Sequence, residues 1–270
     1  MNWGVVCRPD SKKAISLAGN ITDFLKKNGE VFVEEHIASI LQHKGHTLLE
    51  INNKSDIVIT IGGDGTIIRA VKEVDKPVFA VNSGGMGFLA EVESKYALEG
   101  LQRIIDKKYT IEKRSKLKVI LDNKRLPDAL NEVTVQTDRI AKILYLKIVI
   151  DNELVETMGA DGIIIATPTG STSYALSVGG PILDPAVDAM VIAPLAPFKL
   201  SARPWIIPMK RKVGIQLLSK SKESKLVIDG SFATSITPKS DISITVSEKK
   251  AQFIRFGETF YEMVRLKLMR

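Results

Sequence analysis

The first hundred residues alternate between short apolar runs and segments in which apolar side chains recur at helical spacing. Apolar runs predict strands at residues 5–7, 57–61 and 78–81, and the second is β-branched almost throughout, as in strands buried on both faces. Helical spacing predicts helices at residues 14–27, 33–43, 66–74 and 95–106. The alternation predicts an α/β domain with a doubly wound parallel sheet at residues 1–105.

The pattern changes after residue 105 to short apolar segments separated by turn residues, which predicts a β-rich domain at residues 106–256. The strands expected there cover residues 117–121, 133–135, 144–150, 153–158, 163–166, 213–218, 225–228, 242–246 and 252–256. A helix is predicted at residues 258–269, with Phe260, Val264 and Leu268 on one face. We expect this C-terminal helix to pack back on the first domain, so residues 257–270 are assigned to it.

Length and composition agree with two folded domains. The chain has 270 residues, of which 44% are hydrophobic and 26% charged, a composition typical of globular proteins. The longest apolar runs fall far short of the roughly 18 residues that a membrane-spanning helix needs. The N-terminal segment has no basic lead and no long apolar stretch, so we expect a first strand rather than an export signal. A cytoplasmic protein without a membrane partner is expected.

The formal net charge of +7 favours an anionic partner. Lys and Arg residues are spread along the chain without a recognition motif, so an anionic small substrate is expected rather than nucleic acid. The single cysteine, Cys7, is expected to be buried and fits a reducing compartment. His36, His43 and His46 are expected to have surface or packing roles, and no metal site made by protein side chains is predicted.

The segment Gly-Gly-Asp-Gly-Thr at residues 62–66 joins a predicted buried strand to a predicted helix. Ligands bind there in α/β proteins, and glycines let backbone N–H groups approach an anion. Thr66 is expected to cap the helix. A carboxylate among phosphate-binding amides repels the ligand unless it holds Mg²⁺ or accepts the proton of an attacking hydroxyl, so Asp64 is the candidate catalytic group. The alternative is a tight turn in which Asp serves turn geometry.

A second glycine-rich segment, residues 82–88, follows the next predicted strand and is expected at the same edge of the sheet. Asn82 could hold a phosphate or a sugar, and Phe88 could stack on a base or serve packing. Residues 85–90 also match the loose pattern Gly-x-Gly-x-x-Ala, which leaves a hydride-transfer enzyme as an alternative. No Gly-x-x-x-x-Gly-Lys-Ser/Thr segment occurs, which excludes a Walker-type phosphate site.

The second domain contains three polar motifs. Asn131 and Glu132 precede an apolar strand, and an amide with a carboxylate can bind ribose hydroxyls or the edge of an adenine. Asp161-Gly162 comes before another apolar strand. The segment 167–181 is so rich in Ser, Thr and Gly that it is poor material for a core, and hydrogen bonding to a polar ligand explains it better than a bland loop does.

These motifs, in this order, resemble those of the NAD kinases over residues 57–260, and the Thr-Pro-Thr-Gly-Ser-Thr segment with its Gly-Gly-Pro sequel is the most specific of them. The resemblance implies transfer of the γ-phosphoryl group of ATP, or of polyphosphate, to the 2′-hydroxyl of the adenosine ribose of NAD, with Mg²⁺ or another divalent metal. Asp64 would accept the proton and Glu132 would bind ribose hydroxyls. A homodimer or homotetramer is implied as well.

The glycine-rich loops and the resemblance together give a set of candidate nucleotide-binding residues. They are Gly63, Gly65, Thr66, Arg69, Asn82, Gly87, Phe88, Asn131, Glu132, Lys142, Asp161, Thr172, Ser173, Tyr174, Ala175, Leu176 and Ser177.

The chain departs from the family pattern at several positions. Gly159 stands where arginine often precedes the Asp-Gly pair, Ser173 replaces a usual alanine, Ser231 a frequent glutamine, and Phe198 a usual histidine. Two alternatives remain beside a NAD kinase. One is a lipid or sugar kinase, since those relatives also carry a Gly-Gly-Asp-Gly loop, and the other is a dinucleotide sensor without turnover.

Overall fold

The computed structural model describes residues 1–84, 87–139, 141–219, 223–257 and 260–268. The chain divides into two units, the first made of Met1–Lys113 with Ala251–Arg270 and the second of Arg114–Lys250. The predicted boundaries lie at residues 105 and 256. An α/β unit with a parallel sheet and a β-rich unit are present, which confirms the predicted fold class.

The elements follow one another in this order. From the N-terminus they are β1 (Trp3–Cys7), α1 (Lys12–Lys26), β2 (Val31–Glu34), α2 (Glu35–Ala38), β3 (Gly45–His46), α3 (Leu48–Lys54), β4 (Ile57–Gly62), α4 (Asp64–Glu73), β5 (Pro77–Asn82), β6 (Val92–Glu93), a 3₁₀ turn (Ser94–Tyr96) and α5 (Ala97–Ile105). There follow β7 (Thr110–Leu121), β8 (Lys124–Arg125), β9 (Glu132–Thr137), β10 (Leu144–Ile150), β11 (Glu153–Ala160), β12 (Gly162–Ala166), a 3₁₀ turn (Thr169–Thr172) and α6 (Tyr174–Ser177). The last are β13 (Ala189–Leu195), β14 (Trp205–Pro208), β15 (Val213–Leu217), β16 (Ser224–Ile228), β17 (Phe232–Ile236), β18 (Ile242–Arg255) and α7 (Phe260–Leu268).

The sheet of the first unit is parallel, with the order β3-β2-β1-β4-β5 followed by the C-terminal part of β18. The order reverses between β1 and β4, so the crevice for a ligand lies at the carboxyl ends of these two strands. Every residue of β1 and β4 is buried, which makes them a rigid platform for the loop after β4. The core around them includes Trp3, Ile21, Phe79, Leu101 and Ile254.

The second unit contains two antiparallel sheets. One has the order β14-β13-β12-β9-β16-β17, and the other pairs β11, β10, β15 and the first part of β18. A core cluster joins inward-facing side chains of both sheets, among them Val133, Ile163, Leu146 and Ile215. The opposite face of β12 is covered by a smaller cluster that includes Ala175. Strand β12 is therefore buried on both faces.

The C-terminal helix α7 belongs to the first unit, as predicted. Residues 258, 259 and 269 of the predicted helix lie outside the described residues. Met263, Leu266 and Lys267 of α7 line a cavity of about 400 Å³ together with Arg103 of α5 and Asn82 at the end of β5. Within the described ranges, no helix is long and apolar enough to cross a bilayer.

The structure corrects some predicted elements. The helix predicted at residues 33–43 is wrong in its first part, because residues 31–34 pair with β1 as strand β2 and only Glu35–Ala38 are helical. Helix α3 was not predicted, although Thr47 and Glu50 form a capping box at its start. The strands predicted at residues 242–246 and 252–256 are one strand, β18.

Candidate active site

The loop after β4 opens helix α4 at the point where the sheet order reverses. Gly63 is the N-cap residue, and Asp64 is the first helical residue. Apart from the adjoining backbone, no described atom lies within 4 Å of where a Cβ would stand on Gly63 or Gly65, so both positions face open space. The first N–H groups of a helix have no partner within the helix, and together with the positive end of the helix dipole they make this a suitable site for phosphate.

Thr66 does not cap helix α4, contrary to the prediction. It lies inside the first turn, buried, and its hydroxyl group packs against Gly62, where any Cβ would overlap it. The N-cap residue is Gly63, which has no side chain that could cap the helix. The cap prediction failed because the helix begins two residues earlier than the apolar spacing indicated.

The Asp64 carboxylate is bound by the second glycine-rich loop. Its Oδ2 accepts a hydrogen bond from the N–H of Phe88 at 2.7 Å, and its Oδ1 accepts one from the N–H of Leu89 at 3.2 Å. A Cβ on Gly87 would overlap the carboxylate, so a side chain at this position would displace Asp64. The structure thus brings Asp64, Gly87 and Phe88 together. Gly85 and Met86, which belong to the same predicted motif, lie outside the described residues.

Asn82 and Phe88 have further contacts inside the first unit. The side-chain oxygen of Asn82 accepts a hydrogen bond from the N–H of Gly84 at 2.9 Å, which shapes the start of the second loop. The Lys267 ammonium group lies 5.3 Å from the centroid of the half-buried Phe88 ring. Packing therefore accounts for part of the Phe88 environment.

Arg69 lies one helical turn beyond Asp64 but is engaged in an ion pair. Its guanidinium donates two hydrogen bonds to the buried Glu34 and one to the carbonyl oxygen of Cys7 at 3.3 Å. Burial first, and then the charge of Glu34, raises the pKa of the Cys7 thiol to about 12. The thiol therefore remains protonated, and the predicted packing role of Cys7 is confirmed.

Glu132 is a buried carboxylate at the start of β9. The Ser173 hydroxyl and the Tyr174 N–H donate hydrogen bonds to it, whereas Oε2 has no hydrogen-bond partner among the described residues. Burial, and then the negative charge of Asp229, raise the pKa of Glu132 to about 7. A buried acceptor without a partner is what a ligand hydroxyl would satisfy. Asp229 was missed by sequence reasoning, because an Asp-Gly pair reads as an ordinary hairpin turn.

The Ser/Thr-rich segment is only partly open to a ligand. The buried Thr167 hydroxyl donates to the carbonyl oxygen of Leu130 at 2.6 Å, and the buried Ser171 hydroxyl donates to that of Pro168 at 2.6 Å. These hydroxyl groups shape the turn, and neither belongs to the candidate nucleotide-binding residues Thr172–Ser177. Ala175 is also fully buried. The rest of the predicted stretch, Thr172, Ser173, Tyr174, Leu176 and Ser177, is half-buried or exposed.

Lys142 and Asp161 are exposed and flank the β10–β11 hairpin, one before its first strand and one after its second. The N–H of Asp161 donates to the carbonyl oxygen of Leu195 at 2.9 Å, and its own carbonyl accepts from Thr137 at 2.9 Å. The next residue, Gly162, has no room for a side chain, because a Cβ there would overlap the carbonyl oxygen of Val135. The Asp-Gly pair thus has a structural reason in the close approach of β12 to β9.

The four positions at which the sequence departs from the family pattern differ in burial and in the contacts they make. A Cβ on Gly159 would lie 2.9 Å from Ile143, so a larger residue would have to displace that side chain. Phe198 is exposed over 81% of its surface and donates its N–H to the Gly159 carbonyl at 2.8 Å. Ser231 closes a turn through its N–H to the carbonyl of Ile228. The Ser173 hydroxyl donates a hydrogen bond to the Glu132 carboxylate, which an alanine side chain could not do.

The histidines lie where a surface or packing role is expected. His36 is exposed, His43 is half-buried, and His46 is buried with its ring edge-on to Phe32. In the described part of the chain, no three His, Cys, Asp or Glu side chains are grouped as metal ligands.

Comparison with known proteins decides the family. The model of the ATP-NAD kinase N-terminal domain matches residues 3–109, and that of the ATP-NAD kinase C-terminal domain matches residues 130–256. The chain belongs to the NAD kinase family. The NAD kinase of Thermococcus kodakarensis is 42% identical over 99% of both chains, and that of Methanothermobacter thermautotrophicus is 40% identical over 100% of this chain and 96% of its own.

Solved structures of NAD kinases share the fold. A yeast NADH kinase complexed with NADH superposes with a TM-score of 0.92 at 25% identity, covering 100% of this chain and 87% of that one. A NAD kinase from Archaeoglobus fulgidus in complex with ATP gives a TM-score of 0.82 at 27% identity, covering 98% and 99%. The family assignment excludes the hydride-transfer alternative and the lipid or sugar kinase.

Proposed function

We propose that this protein transfers the γ-phosphoryl group of ATP to the 2′-hydroxyl of the adenosine ribose of NAD and that Asp64 accepts the hydroxyl proton. The single observation that carries the proposal is the carboxylate of Asp64 at the start of helix α4, at the sheet edge where the strand order reverses. A protein that only bound dinucleotide would gain nothing from a carboxylate beside phosphate-binding amides.

In the proposed reaction, the 2′-oxygen attacks the γ-phosphorus while its proton passes to Asp64, and the bond from the γ-phosphorus to the bridging oxygen breaks to release ADP. Among the described residues, each Asp64 oxygen accepts one N–H, and a carboxylate oxygen has a second acceptor site for the proton. Holding the two substrates in line can supply about 7 to 11 kcal/mol of the barrier. Proton transfer to Asp64 adds a factor of about 10² to 10⁴.

A divalent metal such as Mg²⁺ would neutralise charge on the transferred group when bound. The described residues provide no set of three protein ligands for it. Mg²⁺ commonly binds through substrate phosphates with few protein ligands, so it would enter with ATP.

For the acceptor, we propose that Glu132 binds the ribose hydroxyls of NAD, with Asn131 beside it. The support is the buried Oε2, which lacks a partner among the described residues. The remaining candidate residues, including Lys142, Asp161 and the exposed part of Thr172–Ser177, are also proposed as dinucleotide contacts. Their support is the resemblance of the sequence motifs to those of the NAD kinases.

We also propose that the protein is cytoplasmic and self-associates as a homodimer or homotetramer. One unpaired, buried cysteine suits a reducing compartment. Large apolar side chains are exposed in the edge strand β14, Trp205 by 44% and Ile206 by 54%, and in the segment before it, Phe198 by 81% and Leu200 by 91%. Exposed apolar side chains at an edge strand favour association with another chain.

The substitution Asp64→Asn tests the proposed reaction. We expect it to lower conversion of NAD to NADP by at least about 10²-fold, because the amide cannot accept the proton. NAD binding should persist, since the amide group adds no bulk to the side chain. The measurement is a coupled assay for NADP with ATP and Mg²⁺, together with calorimetric titration of NAD.

The matched control is Asp23→Asn, an exposed carboxylate on α1 in the same unit, which should leave turnover unchanged. Full activity of Asp64→Asn would remove Asp64 from the mechanism. If the unmodified protein bound NAD but formed no NADP with any donor, including polyphosphate, it would be a dinucleotide sensor instead.

A further inference from the structure

Asp229 lies in the turn between β16 and β17, and its carboxylate faces a neighbouring strand. Oδ2 accepts the N–H of Leu130 at 2.9 Å, and Oδ1 accepts those of Asn131 at 2.8 Å and Glu132 at 3.1 Å. The N–H of Asp229 donates to the carbonyl of Glu132 at 3.0 Å. One side chain therefore binds three consecutive amides of the segment that carries the proposed ribose-binding pair.

The carbonyl groups of the same segment are bound by another element. The N–H of Thr167 donates to the carbonyl of Asn131 at 2.9 Å, and the Thr167 hydroxyl donates to that of Leu130 at 2.6 Å. Gly170 packs on Asn131 so closely that a Cβ would overlap its carbonyl. With N–H and C=O groups both bound, the backbone of residues 130–132 has one orientation, and so do the bonds from which its side chains extend.

We propose that Asp229 is a positioning residue of the NAD site, which holds Asn131 and Glu132 in the orientation that meets the adenosine ribose. The proposal rests on the proposed kinase function, in which Glu132 binds the ribose hydroxyls. Asp229 acts through the backbone of residues 130–132.

The charge of Asp229 gives this role a signature that a purely structural role lacks. Burial and the charge of Asp229 raise the pKa of Glu132, and the Ser173 hydroxyl and Tyr174 N–H lower it, with a result of about 7. Ribose hydroxyls donate to the ionised form, so NAD affinity should rise as the pH rises through about 7. Loss of the Asp229 charge should move this midpoint to lower pH, and loss of the Ser173 hydroxyl should move it to higher pH.

The test is calorimetric titration of NAD into the whole protein from about pH 5.5 to about pH 9, a range that spans the titration of Glu132. We expect Asp229→Asn to shift the midpoint down. At the upper end of the range it should bind NAD about tenfold more weakly, because its amide NH₂ faces the N–H of Leu130 and one charge-assisted hydrogen bond is lost. Ser173→Ala should shift the midpoint up.

Two further variants sharpen the result. Asp151→Asn is the matched control, since Asp151 has the same φ of 47° as Asp229 and accepts the N–H of Lys212 at 2.9 Å at another turn of the same unit. It should bind NAD as the unmodified protein does. Asp229→Glu keeps the charge but displaces the carboxylate oxygens that accept the three amides. It should bind NAD about tenfold more weakly with the midpoint nearly unchanged. It replaces Asp229→Asn in the test if that variant does not fold.

Asp229→Asn with an unchanged midpoint, whether binding is normal or uniformly weakened, would overturn the proposal. Failure of the kinase function would be distinguishable, because it would show as absent NADP formation by the unmodified protein, whatever the midpoints of the variants.

Discussion

Asp64 and Gly87 depend on each other at the scale of single residues. The carboxylate can lie against the second loop, accepting the N–H groups of Phe88 and Leu89, only because Gly87 has no side chain. Backbone amides, fixed by the loop, set where the proposed proton acceptor points. The position of Asp64 is therefore decided by a residue that offers no chemistry of its own.

The substitution Gly87→Ala should displace the Asp64 carboxylate. Misplacement of a reacting group by about 1 Å can cost about 10²-fold in rate, so we expect kcat to fall by about 10- to 100-fold. The KM for NAD should change by less than about threefold, since ground-state binding does not depend on the Asp64 position. Steady-state kinetics of NADP formation measures both.

Gly214→Ala is the control for that experiment, because a Cβ there would meet its nearest neighbour at an ordinary 3.7 Å. It should leave kcat unchanged. An unaltered kcat in Gly87→Ala would show that the second loop does not position Asp64.

Sequence reasoning selected Asp64 as a candidate and did not select Asp229, for a physical reason. Asp64 is flanked by glycines between a strand and a helix, so local pattern alone marks it as unusual. Asp229 acts on amides 97 to 99 residues away in sequence, and the antiparallel pairing of β16 with β9 that brings them together is invisible locally. The Ser/Thr-rich segment was found, but which hydroxyl groups point inward depends on the packing beneath it.

At the scale of elements, long apolar runs were the most predictable. Strands β4 and β12 match their predicted spans closely, because a continuous β-branched run suits a buried strand. Strand β10 also matches its predicted span, although its burial alternates along the strand. Short elements failed: β2 is a strand because it pairs with β1, and nothing in its few residues separates strand from helix. Strand β18 runs through polar residues between two apolar stretches.

Arg255, the last residue of β18, forms ion pairs that should stabilise the fold. Arg255 donates to Glu91 at 3.0 Å, to Glu112 at 2.7 Å and to the carbonyl of Leu89 at 3.1 Å, and the Glu91 side chain is only 4% exposed. Arg255→Ala leaves the buried Glu91 charge without this cation, so we expect unfolding to become easier by about 3 kcal/mol. Urea denaturation followed by circular dichroism measures this.

The comparison variant is Arg139→Ala, which removes an ion pair with Glu223 between side chains that are both more than half exposed. Its cost should stay below about 1 kcal/mol. Equal effects of the two substitutions would contradict the view that burial of Glu91 makes the difference.

At the scale of the whole molecule, the N-terminal family domain, residues 3–109, lies within the first structural unit, whereas the C-terminal family domain, residues 130–256, covers most of the second unit and the end of β18. The α/β unit carries Asp64 and the glycine-rich loops, whereas the β-rich unit carries Asn131, Glu132 and Asp229. The sequence pattern predicted an α/β unit and a β-rich unit, because the alternation of strands and helices in the first differs over a long stretch from the succession of short strands in the second. It could not predict that the large apolar side chains of β14 and of the segment before it are exposed.

The proposed self-association predicts the particle mass. Light scattering should give at least twice the chain mass of 29.7 kDa, and Trp205→Ser should lower the fraction of the larger species by weakening the apolar contact at β14. Leu49→Ser, at an exposed leucine of α3, is the control and should have no effect. A single-chain mass at all concentrations would contradict the proposal.

Both ends of the chain build the first unit, and this has a consequence for biosynthesis. Gln252 and Phe253 pair with Pro77 and Val78, so the strand that completes the parallel sheet is translated after the entire β-rich unit. Domains generally fold as units as they leave the ribosome. Strand β18 also pairs with β15 of the β-rich unit, so one strand completes both units. The half that carries Asp64 therefore cannot reach its native state until nearly the whole chain has been translated.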